Sequence, residues 1–350
     1  MESIAVLVTG AGNGVGEQIV KSLRLAKEKY RIVGTDLSMQ NAGLDLVDIV
    51  RIVPRADDPQ YKTAIAAICK EFDIKAIFPG PEKELRLYAD WKNQLEQEGI
   101  ATFVNSESVL DICLDKFKTM EWLKQNGFHC PESYRVSHVE QILELHAYPY
   151  VLKPLAGGGS VNTFVAQNSW ELKMFCQYLL TIYDEIVIQQ YVGTPDDEYT
   201  VGVLSDASGA TINSIAVHRS IMNALSNRLT VPNHSGNAKC GSALAISNGI
   251  TQGAIGRFPL VTEACEGIAS ALGARFSINI QCRVQDGKVY VFEINPRFSG
   301  TSYFRALVGY NEPDILMKTQ IRKETVTPHF AYKNGYIART MTEVFFETQA

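Results

Sequence analysis

Apolar strand runs alternating with helix-period stretches over the first hundred residues constrain this chain more than any other feature. Ile4 to Gly10 (IAVLVTG) is an unbroken apolar run of the kind shown by a strand covered on both faces. A helix-period stretch follows from Val15 to Lys29, then a strand from Arg31 to Asp36 that ends in an acid. A short strand at Ile49 to Pro54, a helix from Pro59 to Phe72 and a strand at Ala76 to Gly80 continue the rhythm. A helix from Glu84 to Glu98 and a strand at Ala101 to Asn105 complete it. Strands linked by helical crossovers imply a parallel sheet with helices on both faces, because a parallel return cannot be made by a tight turn. The unit is expected to close near residue 108, where Asn105-Ser106-Glu107-Ser108 offers helix-capping chemistry.

The character changes from about Leu110. Asp115 to Tyr134 reads as a helix stopped by Gly127, then a proline-bearing turn into a strand. A strand at Tyr148 to Pro154 runs into the loop Leu155-Ala156-Gly157-Gly158-Gly159-Ser160-Val161-Asn162. A helix at Ser169 to Tyr183 and strands at Glu185 to Val192 and Glu198 to Asp206 come next, with strand-like segments up to Val217. His218 to Gly241, rich in Asn, Ser, His and Gly, reads as an irregular, mobile loop. A long helix from Thr251 to Leu272 then precedes two alternating strands. The whole is an α/β chain. A Rossmann-like parallel-sheet unit spans residues 1–108, an α+β module with antiparallel sheets spans 109–320, and a tail, 321–350, packs on the module. Two or three packed units also suit 350 residues, since domains hold roughly 100–200.

Composition excludes several classes. With 46% hydrophobic residues the chain is too apolar for disorder, yet no apolar run approaches the roughly 20 residues of a membrane helix. The start, MESIAVLVTG, lacks the basic region of a signal peptide. A net charge of −5 without basic clusters argues against nucleic acid as a partner. Seven scattered cysteines with no C-x-x-C read as buried thiols of a cytoplasmic protein. The expectation is a soluble enzyme acting on small molecules, with a homodimer as the commonest assembly.

Thr9 to Gly16 (TGAGNGVG) sits where a phosphate-binding turn would, between a strand and a helix, with Asp36 ending the next strand. The pattern fits short-chain dehydrogenases, which makes NAD(P)-dependent oxidoreduction an alternative. That chemistry demands a Tyr-x-x-x-Lys pair and an upstream serine. Tyr88 and Lys92 have the spacing, but no serine lies between Ser38 and Ser106. Glycines that only turn the chain tightly explain the segment as well.

Ile278 to Gly300 (INIQCRVQDGKVYVFEINPRFSG) carries the most chemistry. Ile278, Ile280, Cys282 and Val284 alternate with Asn279, Gln281 and Arg283, and Tyr290, Phe292 and Ile294 alternate with Glu293 and Asn295. The apolar faces coincide only if opposed residue numbers sum to an even value. That excludes a two-residue turn and predicts a three-residue loop, Gln285-Asp286-Gly287. In this register Gln281, Glu293 and Asn295 emerge on one face. A carboxylate flanked by two amide oxygens suits a hard cation such as Mg²⁺, which keeps waters and is shared with substrate phosphates. Arg297, just beyond, is placed to stabilise phosphoryl charge.

With these residues the chain resembles the ATP-grasp superfamily, in particular the group like the carbamoyl-phosphate synthase large subunit, from its N-terminal unit to about Lys318. The E-x-N-x-R pattern that binds two Mg²⁺ ions there matches Glu293, Asn295 and Arg297, and a metal-binding position on the preceding strand matches Gln281. The helix opening in Asp-Lys matches Asp115-Lys116, which places Lys116 near the nucleotide phosphates. Lys153, in a V-x-K-P strand, is implied to touch the α- and β-phosphates, and Gly157, Gly158, Gly159 and Ser160 to close over the triphosphate. The hinge strand whose backbone reads adenine matches Gln189, Gln190, Tyr191 and Val192, although many relatives carry glutamate at the Gln190 position. Glu198 stands where an acid accepts the ribose hydroxyls. In this frame 1–108 is the preATP-grasp domain and 109–320 the ATP-grasp domain, with a lid at about 135–192.

The resemblance implies ATP and Mg²⁺ as cofactors, Mn²⁺ being able to substitute. It implies a ligase that joins a carboxylate to an amine or thiol through an acyl phosphate, releasing ADP and phosphate, with Arg297 and Lys153 as catalytic residues. Charge alone makes His218, Arg219, Arg228 and Arg305 candidates to bind the substrate carboxylate. Bicarbonate or carbamate phosphorylation is an alternative, although the resembled large subunit is a tandem of two such halves and this chain carries one.

Overall fold

The computed structural model describes residues 3–222, 225–329 and 331–340. Strands β1 (Ile4–Thr9), β2 (Tyr30–Asp36), β3 (Ile49–Ile52), β4 (Ala76–Phe78) and β5 (Ala101–Thr102) pair in parallel in the order β3-β2-β1-β4-β5. Helices α1 (Gly14–Arg24), α2 (Tyr61–Phe72) and α3 (Leu85–Gln97) make the crossovers. Val6 and Val8 enter one core cluster, while Ala5 and Leu7 enter another. Cover on both faces is the reason the β1 run is apolar without alternation. The first of these clusters continues into the second half of the chain. Phe78 and Phe103 lie 5.8 Å from Phe298 and 5.4 Å from Phe276 respectively, between ring centres.

Helices α4 (Glu107–Cys113) and α5 (Lys116–Gln125) lead into a second sheet. It contains β6 (Ser133–Val136), β7 (Tyr150–Pro154), β8 (Phe164–Ala166) and β9 (Ile186–Gln190), ordered β6-β9-β7-β8, with α6 (Ser169–Leu180) between β8 and β9. All its pairings are antiparallel. The remaining strands are β10 (Glu198–Ser205), β11 (Thr211–Arg219), β12 (Asn227–Pro232), β13 (Ala243–Ser247), β14 (Gly253–Gly256), β15 (Phe276–Gln285), β16 (Lys288–Asn295) and β17 (Gly335–Ile337). Six of them form the antiparallel sheet β16-β15-β10-β11-β14-β17, backed by α7 (Pro259–Leu272), and β12 pairs with β13 as a separate ribbon. Two short helices, α8 (Ser302–Leu307) and α9 (Glu312–Leu316), pack against α1. The proposed tail thus enters the sheet through β17 beside β14, and its residues 341–350 lie outside the described ones. No helix among the described residues is long and apolar enough to cross a membrane. All seven cysteines are free thiols.

Three expectations need correction. In the β15–β16 hairpin only Asp286 and Gly287 form the turn, with φ of 51° and 71°, the pair of positive angles a type I′ turn requires. Gln285 faces Lys288 and Cys282 faces Val291, and then Phe292 is an extra residue. After this bulge Gln281 faces Glu293 and Asn279 faces Asn295. The two-residue turn that the alternation excluded is therefore present, and only beyond the bulge do opposed numbers sum to an even value. That puts Gln281, Glu293 and Asn295 on the expected common face, although each pairs two positions further along. The segment read as an irregular loop, His218 to Gly241, supplies the end of β11 and all of β12. The helix expected from Thr251 begins only at Pro259, because β14 comes first. Gly253 starts that strand at φ 146°, and a Cβ there would stand 1.9 Å from the His218 carbonyl oxygen, so the backbone approach itself requires glycine.

Candidate active site

A cavity of about 310 Å³ lies between the second sheet and the hairpin end of the six-stranded sheet. Its lining includes Lys116, Lys153, Gly157, Gly158, Ser160, Gln189, Gln190, Tyr191, Val192, Glu198, Gln281 and Glu293. Residues from both sheets and from α5 therefore converge on one space.

Lys116 opens α5, whose N-terminus is capped by Asp115 accepting from the Phe117 and Lys118 amides at 2.9 and 3.0 Å. That cap fixes the direction of the lysine. Its Nζ donates to the Gly157 carbonyl at 2.5 Å and lies 3.8 Å from a Glu293 oxygen. Ser160, at the other end of the loop, donates to the Ser247 carbonyl at 2.6 Å. Added Cβ atoms at Gly157, Gly158 and Gly159 would meet nothing within 4 Å, so the loop is pinned at its ends and unpacked between them.

Lys153 points inward from β7. Its Nζ lies 3.5 Å from the Phe292 carbonyl and 5.7 Å from the Phe292 ring centre. Burial pulls its pKa down to about 8, opposed by the Glu293 charge. Only the protonated amine grips phosphate. Its fraction in the free protein falls as pH rises through about 8, so affinity for ATP is expected to fall there too, by up to about tenfold per pH unit. Titration calorimetry from about pH 7 to about pH 9 checks this, and Lys153→Met is expected to bind more weakly with a flatter profile.

Gln189 extends the hinge wall. Its side chain is 2% exposed, and its Nε2 has no partner among the described residues. A buried amide donor on a cavity wall offers itself to a ligand acceptor. Tyr191 is held by its hydroxyl, which donates to the Ala245 carbonyl at 3.0 Å and accepts from the Ala245 amide at 2.9 Å. The Arg283 guanidinium stacks on the Tyr191 ring at 4.4 Å.

Glu198 lines the cavity and is held by three side chains. It is 1% exposed and accepts from Arg219 Nη1 at 2.8 Å and from the Ser247 hydroxyl at 2.6 Å. On its other oxygen it meets Arg283, at 3.0 Å from Nε and 2.9 Å from Nη2. Burial alone would raise its pKa, but Arg283 and Arg219 outweigh it and hold the carboxyl low. Both oxygens are thus engaged inside the protein, and the carboxylate braces two arginines on the cavity wall. Arg283 also reaches the Val192 and Ala245 carbonyls, at 3.3 and 3.0 Å, and so ties the hinge to the β12–β13 ribbon. As one polar residue of an alternating strand it gave no sign of this.

On the hairpin, Gln281 Nε2 lies 3.1 Å from a Glu293 oxygen. Asn295, 6% exposed, accepts from Arg297 Nη2 at 3.1 Å. Among the described residues no group of three His, Cys, Asp or Glu side chains could hold a metal ion by itself. One carboxylate with two amides fits a cation held jointly with phosphates, and the cavity leaves room for them.

The four candidates chosen for the substrate carboxylate scatter. His218 stacks on Tyr199, 4.5 Å between ring centres, and its Nε2 contacts the Asp196 carbonyl. Arg219 is 3% exposed and committed to Glu198, Ser247 and the Asn248 carbonyl. Arg228 is exposed on the β12 ribbon. Arg305 is 0% exposed and paired with Glu312 at 3.0 Å, which makes it a core residue. Charge in an unpatterned segment does not tell a solvated or core arginine from a ligand-binding one. Arg297 lines a second cavity instead of the first.

The dehydrogenase alternative loses its parts here. Tyr88 is 0% exposed, in a core with Tyr61 and Trp91, and Lys92 lies over the Phe276 ring. Asp36 accepts from the Gly12 and Leu37 amides at 2.9 and 2.7 Å and from Asn41 at 2.8 Å, so it holds the glycine turn in place. A Cβ at Gly16 would stand 2.1 Å from the Gly10 carbonyl oxygen, so close packing of the turn explains that glycine.

Comparison with known proteins follows the same division. The ATP-grasp domain family matches residues 113–301. The PylC-like N-terminal domain family matches residues 6–103. The carbamoyl phosphate synthase large chain of Vibrio cholerae serotype O1 is 23% identical over 263 residues, 68% of this chain. The chain spans only 22% of that relative's length. Among solved structures, biotin carboxylase from Campylobacter jejuni superposes with a TM-score of 0.64 at 18% identity, over 91% of this chain and 70% of that one. D-alanine–D-alanine ligase from Bacillus anthracis superposes with a TM-score of 0.58 at 20% identity, over 92% and 98%. At such identities the superpositions show the shared fold.

Proposed function

Because the chain belongs to the ATP-grasp family, whose domain covers more than half of it, we propose that it is an ATP- and Mg²⁺-dependent ligase that joins a carboxylate to an amine or thiol. The observation that carries this reading is the convergence of Lys116, Lys153, the glycine loop, the hinge and Glu293 on one cavity. Phosphoryl transfer needs positioning and charge neutralisation more than covalent help from the protein, and these groups supply both.

In this reading the hinge and the Gln189 amide hold the base. Lys153 and Lys116 neutralise the phosphate chain, and the loop between Gly157 and Ser160 closes over it and shuts out water. Glu293 and Asn295, with Gln281 beside them, hold Mg²⁺, which when bound supplies charge neutralisation at the terminal phosphates. A carboxylate oxygen attacks the γ-phosphorus, the bond to the β-phosphate oxygen breaks, and ADP leaves. The acyl phosphate is then attacked at its carbonyl carbon by the amine or thiol. Phosphate departs with the C–O bond electrons, and the nucleophile loses its proton. In this reading Arg297, which borders the neighbouring cavity and is bonded to Asn295, reaches across to stabilise the negative charge of these steps.

ADP release from Mg²⁺–ATP is expected only when a carboxylate and an amine or thiol are supplied together, in a screen of small acids against small nucleophiles. Thermal shift is expected with Mg²⁺–ATP; a shift with NAD or NADP but none with ATP overturns the reading. The curated relatives favour a second reading, phosphorylation of bicarbonate or carbamate. Bicarbonate-dependent ADP release without an organic acid selects it.

A further inference from the structure

Helix α6 is apolar on the face it turns to solvent as well as on the face it buries. Its inner residues Leu172, Cys176 and Leu179 share one core with Tyr150 and Leu152 of β7. Val151 and Lys153, on the other side of β7, line the active-site cavity. The helix therefore covers the back of that sheet, away from the cavity. On its outer side Trp170 is 70% exposed, Met174 37% and Tyr178 51%. Ile182, 47% exposed, follows in the turn that prolongs the helix through its amide bond to the Leu179 carbonyl. Spaced by four, these side chains form one ridge along the helix.

An outward helix face ordinarily carries charge, yet among the exposed residues of α6 only Lys173 does. Single exposed apolar residues need no explanation, whereas a continuous row of them marks a contact surface. Trp, Tyr and Met are also the types that interface cores favour. Two features specify what covers the ridge. When two copies of α6 cross antiparallel about a two-fold axis level with Cys176, Trp170 faces Ile182 and Met174 faces Tyr178, so one axis pairs all four side chains. The charges agree with this alignment. Lys173 lies in the first half of the ridge and the exposed Asp184 beyond its end, so antiparallel packing brings unlike charges together and parallel packing sets like against like. The helix dipoles oppose each other in the same arrangement. The uncovered parts of the four side chains amount to roughly 500 Å² per copy, so a pair buries about 1,000 Å², the low end for a specific interface.

We propose that the outer face of α6 is the docking surface for a second copy of this chain, the two helices packing antiparallel through Trp170, Met174, Tyr178 and Ile182. Docking there joins the two copies back to back and leaves both cavities open.

The test is sedimentation velocity on the full chain over a range from about 1 to about 200 µM. A contact of this size is weak, so the mean mass is expected to climb from 38.8 kDa toward twice that value with a dissociation constant of about 10 µM. Trp170→Glu and, independently, Tyr178→Lys are each expected to keep the chain monomeric throughout. Both side chains face solvent, so the melting temperature is expected to stay unchanged in either variant. Lys173→Glu is expected to weaken association about fivefold, and Asp184→Lys added to it to restore the original affinity. The proposal is overturned by a monomer at every concentration. It is equally overturned by a dimer that survives both Trp170→Glu and Tyr178→Lys, which places the contact on another face. A loss in Lys173→Glu that Asp184→Lys does not reverse overturns the antiparallel alignment.

Discussion

Glu293→Ala is expected to lower the rate of ADP release by about a thousandfold while the melting temperature stays nearly constant. Glu293 is the single carboxylate between Gln281 and Asn295, so its loss removes the charged anchor of the cation and leaves two neutral amides. A bound cation supplies several kcal/mol to phosphoryl transfer, and about 4 kcal/mol corresponds to three orders of magnitude in rate. Stability responds differently. The Glu293 side chain is 20% exposed and its nearest base, Lys116, is 3.8 Å away, a partly screened contact of small worth. Steady-state ADP release and a thermal melt on the same preparation separate the two effects. A loss smaller than about tenfold places the cation elsewhere.

The largest effect on stability is expected at Arg305. Its guanidinium is 1% exposed and bonds both oxygens of Glu312, at 3.0 and 3.1 Å, and Asn279 Oδ1 at 2.7 Å. It lies over Gly202 of β10, where a Cβ would stand 2.0 Å from its Nη1. Arg305→Met leaves the Glu312 carboxylate buried with its cation gone, a change that costs about 3–5 kcal/mol. The double variant Arg305→Met, Glu312→Met removes both charges and is expected to regain most of that loss, because paired burial of two ions gains little over apolar packing. Denaturant unfolding of the single and double variants measures it. Equal loss in both assigns the effect to packing and not to the stranded charge.

These two residues also show where sequence reading reaches and where it stops. Glu293 was legible because strand alternation and the E-x-N-x-R spacing are local, each within a few residues of the next. The turn length was misread because a bulge leaves no mark in composition: Phe292 is as apolar as the residues it interrupts. The β12–β13 ribbon was missed because Asn227–Pro232 packs on one side only, through Leu229 and Val231. Arg305 looked like Arg219 and Arg228 on charge, and the three lie in a core pair, a cavity brace and solvent.

The alternation of the first hundred residues by itself determined a parallel sheet with helical crossovers, and the order of motifs determined a chain built around ATP. Periodicity, turn chemistry and motif spacing act over a few residues, so a linear sequence displays them. Tertiary structure alone decided what each charged group serves. Glu84 meets Thr9 across 75 positions, and Arg297 meets Glu82 across 215. Whether a charge is braced, stranded on a cavity wall or solvated depends on desolvation and on partners that only the folded chain brings within a few ångströms.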